Sequence, residues 1–300
     1  MRVGAIDLGT NTTRLLVADV VDGSIDEVHR ETRITRLGEG VDARGRLLPV
    51  PIARVRNVLS DYRRTLDRLG ADRTLAIATS AVRDAENGEA FLGEIEWSYG
   101  FTTRIVTGDE EAQLTRRGVG ERSRGTLVLD IGGGSTELIV DDFHVSLPMG
   151  SVRFTERYRD RETCKAAVRA LLEAHVSVHA TAGVGVAGTI TTLAALDLGL
   201  DRYDRARVHG HRLSALGARA QLDRLAAMTL AERRRVPALE PERAPVIVAG
   251  ALILVETLDF FVLDAIEASE RDLLDGIALA AAELPTPAEG AAPPGAYTCC

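Results

Sequence analysis

Residues 7–15 read D-L-G-T-N-T-T-R-L, and residues 130–138 read D-I-G-G-G-S-T-E-L in the same register. Each copy follows a short apolar segment and precedes another, which predicts a strand, a tight glycine turn and a second strand. Self-similarity on this scale indicates two duplicated domains rather than a solenoid of small repeats. The repeat therefore determines the fold that the sequence predicts.

Both halves of the chain continue in the same way after the repeated motif. The first half predicts the order βββαβαβα, with a long helix over residues 52–69 and further helices over 88–99 and from 109. The second half begins with three strands and a helix over residues 162–179, and it closes with a strand over 264–268 and a helix over 272–284. We predict an α/β fold of two such domains, residues 1–122 and 123–284, flanking a cleft that binds ligand, and a disordered proline-rich tail at 285–300.

The composition excludes several classes of protein. The 300 residues are 45% hydrophobic and 27% charged, which is typical of a globular chain, and the net charge of −8 gives no global attraction to nucleic acid or anionic membranes. Lys165 is the only lysine among 36 basic residues, so a Walker P-loop is absent. The longest apolar run, residues 246–255, is too short to span a bilayer, and no secretion signal precedes it, which predicts a cytoplasmic protein.

The two glycine turns have the chemistry of phosphate-binding loops. Glycines let backbone N–H groups approach an anion, and nearby hydroxyl and amide side chains add donors; the candidates are Gly9, Asn11, Thr12, Gly132, Gly133, Gly134 and Ser135. Asp7 and Asp130 would repel phosphate, so at strand ends they are interpreted as ligands of Mg²⁺ or of its waters. Glu137 stands where the first copy has Arg14, and it joins Asp130 as a candidate metal ligand or water-orienting group.

The sequence leaves the roles of three further segments undecided. Glu110 and Glu111 follow a strand and open a helix, so each is either a helix-dipole residue or a general base. Arg83 is a surface charge or a phosphate ligand. Gly188 and Thr189 begin a helix that is either an ordinary capped helix or an anion site.

The motifs together resemble the exopolyphosphatase/guanosine pentaphosphate phosphohydrolase (Ppx/GppA) family of the actin-like ATPase superfamily. The resemblance rests on the two turns and on residues 78–83, 108–112, 187–189 and 242–250, and it covers residues 1–283. It implies two actin-like, ribonuclease H-like domains and Mg²⁺-dependent hydrolysis, with Mn²⁺ as the alternative metal. The implied substrate is inorganic polyphosphate, from which terminal orthophosphate is released, or the 5′-phosphate of pppGpp.

The resemblance also implies roles for individual residues. Glu111 matches the base that activates water, Asp130 and Glu137 match the residues associated with metal and water, and Arg83 and Arg243 match arginines that contact phosphate. A homodimer is implied by the family alone. One departure is Leu274, where many relatives have arginine, and it puts the preference for substrate type or chain length in doubt.

Other functions remain as alternatives to an exopolyphosphatase. They are a pppGpp phosphohydrolase, a non-hydrolysing sensor of polyphosphate or (p)ppGpp, and a sugar or acetate kinase of the same superfamily. The candidate catalytic carboxylates argue against the sensor. The pair Glu110–Glu111 argues against the kinase, because a kinase must not activate water.

Overall fold

The computed structural model describes residues 1–285, and these form two compact units. The first unit contains Met1–Val119 together with the described residues from Leu273 onward, and the second contains Gly120–Asp272. The predicted tail lies outside the described residues, apart from residue 285. Among the described residues, no helix combines the length and the apolar content needed to cross a membrane.

The first unit is a five-stranded sheet with helices on both faces. Its elements are β1 (Arg2–Leu8), β2 (Thr12–Val21), β3 (Ser24–Ile34), α1 (Val41–Arg44), α2 (Pro49–Leu69), β4 (Arg73–Ala78), α3 (Ser80–Arg83), α4 (Gly88–Tyr99), β5 (Thr102–Ile105) and α5 (Gly108–Val119). The strand order is β3-β2-β1-β4-β5, with β1 antiparallel to β2 and parallel to β4. This arrangement confirms the predicted βββαβαβα order, to which the structure adds the short helices α1 and α3.

Helix α2 packs on one face of this sheet through apolar residues at helical spacing. Val55, Leu59, Tyr62 and Leu66 fall on one side of the helix and are buried. The Tyr62 hydroxyl donates to the Thr13 carbonyl oxygen at 2.9 Å, and burial raises the pKa of this tyrosine above its ordinary value. The long helix is thereby fixed beside the strand that leaves the first glycine turn.

The last helix, α13 (Leu273–Ala282), packs in the first unit and not in the second domain to which the sequence analysis assigned it. A side chain at Gly276 would lie 1.9 Å from the Leu114 carbonyl oxygen of α5, so glycine permits the close packing of these helices. Asp275 pairs with Arg30 of β3 at 2.9 Å, and Leu274 is fully buried. The division between the units accordingly falls at residues 119–120, three residues before the predicted boundary.

The second unit repeats the sheet topology of the first. Its elements are β6 (Thr126–Ile131), β7 (Thr136–Val140), β8 (Phe143–Leu147), α6 (Ser151–Arg157), α7 (Arg161–His175), β9 (Ala182–Val186), α8 (Ala187–Asp197), α9 (Arg205–Val208), β10 (Arg212–Ser214), α10 (Ala215–Ala227), α11 (Leu230–Arg233), α12 (Ile247–Phe261) and β11 (Ala265–Ala268). The strand order is β10-β11-β9-β6-β7-β8. The central strands β1 and β6 therefore have equivalent neighbours, and each glycine turn leaves the central strand of its own sheet.

One predicted helix of the second unit was wrong in its extent. The pattern over residues 162–179 corresponds to α7, which begins at Arg161 and ends at His175 because Val176 is extended. Asp160 caps its start by accepting a hydrogen bond from the Thr163 N–H at 2.9 Å. The preceding helix, α6, was not predicted.

Candidate phosphate and metal site

The second glycine turn presents three backbone donors without acceptors. The N–H of Gly132 donates to the Ser135 carbonyl oxygen at 3.0 Å and closes the turn. Within the described residues, the N–H groups of Gly133, Gly134 and Ser135 donate no hydrogen bond. Successive backbone donors in one turn form a concave anion site, so this loop can bind a phosphate group.

The start of α6 holds this loop from behind. The N–H of Val152 donates to the Gly133 carbonyl oxygen at 2.8 Å, and Arg153 Nε donates to the Gly134 carbonyl oxygen at 2.7 Å. A side chain at Gly150 would lie 2.4 Å from the Gly133 carbonyl carbon. These contacts engage the carbonyl groups of the loop and fix its conformation.

The first glycine turn is built on the same plan. The Gly9 N–H donates to the Thr12 carbonyl oxygen at 2.9 Å, and the carbonyl oxygens of Thr10 and Asn11 accept N–H groups from residues 35–38. In the part of the chain that the structure describes, Asn11 Oδ1 is buried and has no hydrogen-bond partner. A buried amide in this position is suited to a ligand, because the side-chain amide can turn to present its NH₂ group to an anion.

The two turns differ in the residue opposite the aspartate. Asp7 lies directly across from Arg14 on β1 and β2, and Arg14 Nε lies 2.8 Å from Asp7 Oδ2. Asp130 lies directly across from Glu137 on β6 and β7, and both are buried, with 5% and 1% exposure. Glu137 also accepts a hydrogen bond from Ser146 Oγ at 2.7 Å. One turn therefore carries an ion pair and the other carries two acidic groups on one face of its sheet.

The donor set of the second turn fits Mg²⁺. This cation binds oxygen ligands and usually takes one or two carboxylates from the protein, with water and substrate phosphate completing its coordination. Across residues 1–285, no cluster of three or more His, Cys, Asp or Glu side chains forms a metal cage. Asp7, whose Oδ2 contacts Arg14, is the weaker of the three metal-ligand candidates.

The structure distinguishes the two glutamates that the sequence left open. Glu110 belongs to the cap of α5: its Oε2 accepts from the Thr107 N–H at 2.8 Å, and its own N–H donates to Thr107 Oγ1 at 3.2 Å. The Thr107 N–H and hydroxyl, which both donate to the Glu110 carboxylate, lower the pKa of Glu110 below its ordinary value. Glu111, in contrast, is only 6% exposed, and its Oε2 lies 3.1 Å from Arg83 Nη1.

Arg83 joins the short helix α3 to the start of α5. Its Nη1 donates to the Val106 carbonyl oxygen at 2.9 Å as well as to Glu111, and its side chain is 24% exposed. The arginine is therefore not an isolated surface charge. It orients the carboxylate of Glu111, and its planar guanidinium group has further donors that suit a phosphate.

The start of α8 packs against the motif at residues 242–250 through one glycine on each side, Gly188 in α8 and Gly250 in α12. A side chain at Gly188 would lie 2.1 Å from Arg243 Nη1, so the guanidinium group rests against the backbone there. A side chain at Gly250 would lie 2.6 Å from Thr189 Cγ2. Arg243 is mostly buried and Thr189 is 4% exposed, and the structure thus brings together two segments that are distant in sequence.

The preceding residue, Ala187, has a φ of 64°, which is costly for a residue with a side chain. Strained backbone of this kind is concentrated at ligand sites. Ala187, Gly188 and Arg243 thus combine a strained backbone with a guanidinium group packed against the helix start.

Sequence reasoning missed the residues that support the second loop. Gly150 and Arg153 carry no phosphate-binding pattern themselves, and they gain their role only because α6 folds behind the turn. The available signal was a glycine just after the third strand of each half, Gly38 and Gly150. A side chain at Gly38 would lie 2.2 Å from Thr10 Cγ2 of the first turn. Gly38 therefore packs against the first turn as Gly150 packs against the second.

Comparisons with known proteins show which proteins this chain resembles. Residues 16–283 match the model of the Ppx/GppA phosphatase family. The chain is 38% identical to exopolyphosphatase 2 of Mycobacterium tuberculosis, over 94% of this chain and 98% of that protein. It is 30% identical to the guanosine-5′-triphosphate,3′-diphosphate pyrophosphatase of Vibrio vulnificus, over 91% of this chain and 58% of that protein. The crystal structure of an exopolyphosphatase-like protein matches with a TM-score of 0.87 and 34% identity, over 93% of this chain and 98% of that one.

Proposed function

Because the chain belongs to the Ppx/GppA phosphatase family, we propose that it is an exopolyphosphatase, a phosphoric anhydride hydrolase that releases terminal orthophosphate from inorganic polyphosphate. The proposal depends most on Glu111. A buried carboxylate held by an arginine, beside a neighbour that only caps the helix, is suited to activating water. Hydrolysis requires such a base, whereas a kinase would have to exclude water.

The phosphate groups of the substrate bind at the glycine turns. The open N–H groups of Gly133, Gly134 and Ser135 hold phosphate oxygens, and Arg243 against Gly188 adds a cationic donor. Asn11 and Thr12 serve the first turn in the same way. Donors fixed before the substrate arrives stabilise charge that develops in the transition state without a cost of reorganisation.

Asp130 and Glu137 would hold the metal, and Mg²⁺ or Mn²⁺ bound there would supply positive charge to neutralise the phosphoryl oxygens. Glu111 orients a water molecule and accepts its proton at a carboxylate oxygen. Arg83 keeps that carboxylate in one orientation and donates to the phosphoryl group that is being released. Positioning and electrostatic stabilisation then account for most of the catalysis.

Hydrolysis of pppGpp is the second candidate, and similarity to the Vibrio vulnificus pyrophosphatase favours it, although the chain spans only 58% of that relative. The two are separated by measuring orthophosphate release from long-chain polyphosphate and from pppGpp, with Mg²⁺, on the full chain. We expect a higher kcat/KM for polyphosphate. A higher kcat/KM for pppGpp would leave the proposed mechanism unchanged and make pppGpp the substrate. Binding of either compound without release of orthophosphate would indicate a sensor.

A further inference from the structure

A cavity of about 550 Å³ lies in the first unit, at the start of α2. Its lining includes none of the residues proposed above for catalysis or for phosphate binding. The volume lies within the range of pockets that bind small organic ligands, roughly 300–1,000 Å³.

Three arginines give this cavity a positive lining. Arg56 pairs with Glu94 at 2.6 Å, so its charge is largely compensated. Arg44 and Arg46 are exposed, and among residues 1–285 their side chains make no ion pair or hydrogen bond. No acidic residue lines the cavity, although the whole chain carries a net charge of −8. Two uncompensated guanidinium groups match the charge of one phosphate monoester, which is close to −2 at neutral pH.

The rest of the lining is apolar and held in place. Leu47, Leu48, Pro49 and Ile52 form it, and Leu47 is 1% exposed. The side-chain amide of Asn87 bonds the Leu47 backbone twice, with Oδ1 accepting from its N–H at 2.8 Å and Nδ2 donating to its carbonyl oxygen at 3.1 Å. An inorganic anion would leave this apolar surface unused, whereas the ring of an organic phosphate would cover it.

We propose that this cavity is a nucleotide-binding site, with the phosphate between Arg44 and Arg46 and the base on the apolar surface formed by Leu48, Pro49 and Ile52. The proposal is independent of the proposed catalytic function. It concerns other residues and a ligand that need not contain a phosphoanhydride bond.

The test is calorimetric titration of the full chain with AMP, which has no phosphoanhydride bond for the catalytic site to hydrolyse. Adenosine and orthophosphate are titrated in parallel. We expect AMP to bind at least tenfold more tightly than either of them, because adenosine lacks the phosphate and orthophosphate lacks the base. Orthophosphate binding as tightly as AMP would show that the apolar surface is not used and would overturn the assignment.

Two double variants, each of which removes two arginines from the first unit, test the assignment of the phosphate. Arg44→Ala/Arg46→Ala should raise the Kd for AMP at least tenfold. Arg64→Ala/Arg68→Ala removes two arginines from the far end of α2 and should leave it unchanged. The proposal fails if AMP does not bind, or if both double variants weaken AMP binding equally.

Discussion

Asp130 and Glu137 lie directly opposite each other on antiparallel strands, and both side chains are buried. Opposite positions on such strands face the same side of the sheet, about 4.5–5.5 Å apart at Cβ, and like charges there are destabilising. In the first unit the equivalent pair is Asp7 and Arg14, which neutralise each other. The two copies of the motif thus differ in the residue opposite the aspartate, which is Arg14 in the first unit and Glu137 in the second.

The pair predicts how Mg²⁺ affects stability. Mg²⁺ should raise the Tm of the wild type, because a cation held by Asp130 and Glu137 binds the folded chain in preference to the unfolded chain. Asp130→Asn should weaken this response, because it removes one of the two carboxylates. The measurement is thermal unfolding over a Mg²⁺ titration.

Asp7→Asn is the comparison variant for this titration. It should lower the Tm, since the ion pair between Asp7 and Arg14 is lost, and it should keep the response to Mg²⁺. An undiminished response in Asp130→Asn, or a lost response in Asp7→Asn, would place the metal at the first turn instead.

The cap of α5 predicts a pH-dependent contribution to stability. Hydrogen bonds from the Thr107 N–H and hydroxyl lower the pKa of Glu110 below its ordinary value of 4.5, so the unfolded chain binds a proton at a higher pH than the folded chain. The stabilisation is complete above that ordinary value and is lost as pH falls through the folded pKa. Glu110→Gln should therefore lower the free energy of unfolding by less than ~1 kcal/mol at pH 7, since the carboxylate is exposed. Chemical denaturation at pH 7 and at pH 3 checks this, and an equal difference at both values would contradict it.

The contact between Gly188 and Arg243 predicts a substitution that acts on activity and spares the fold. Gly188→Ala should displace the guanidinium group, which is the flexible end of its side chain, and alanine is favourable in a helix. Loss of one charge-assisted phosphate contact should lower kcat/KM about 10- to 100-fold, with an unchanged Tm.

A double variant tests whether the effect passes through Arg243. Gly188→Ala/Arg243→Ala should be no worse than Arg243→Ala, because the two changes remove the same contact. Additive losses would show that the glycine matters for another reason, such as the direct approach of substrate to the backbone.

The packing of Gly150 on the phosphate loop predicts a different outcome. The nearest atoms to a new Cβ are backbone atoms of Gly133 and Gly134, at 2.4–2.5 Å, and these cannot rotate away. Gly150→Ala should therefore shift the loop, reduce activity strongly and destabilise the protein by about 1–3 kcal/mol. Normal activity with reduced stability would mean that the loop conformation is not required for binding.

Much of the fold could be predicted from the sequence because local patterns carried the information. The repeated turns located both central strands, and the spacing from Val55 to Leu66 located the long helix within a few residues. The short strand β10 was missed because three residues show no periodicity. The final helix was assigned to the wrong unit because an apolar helix face does not reveal which sheet it will cover.

The candidate site was less predictable, since its roles depend on contacts between distant residues. Nothing in the pair Glu110–Glu111 reveals that Thr107 engages the first and Arg83 holds the second. The same is true of Gly188 and Arg243, which are adjacent only after folding. Sequence patterns indicated the residue types, and the packing of each unit determined which contacts each residue makes.

The measurement that tests the central claim most directly is orthophosphate release from long-chain polyphosphate, with Mg²⁺, by the wild type, Glu111→Gln and Glu110→Gln. Both variants replace one carboxylate by an isosteric amide at neighbouring positions of one helix. We predict that Glu111→Gln lowers kcat by about 10²- to 10⁴-fold, the range for loss of a general base, while Glu110→Gln stays near the wild-type rate. Equal rates for Glu111→Gln and the wild type, or a loss confined to Glu110→Gln, would contradict the account.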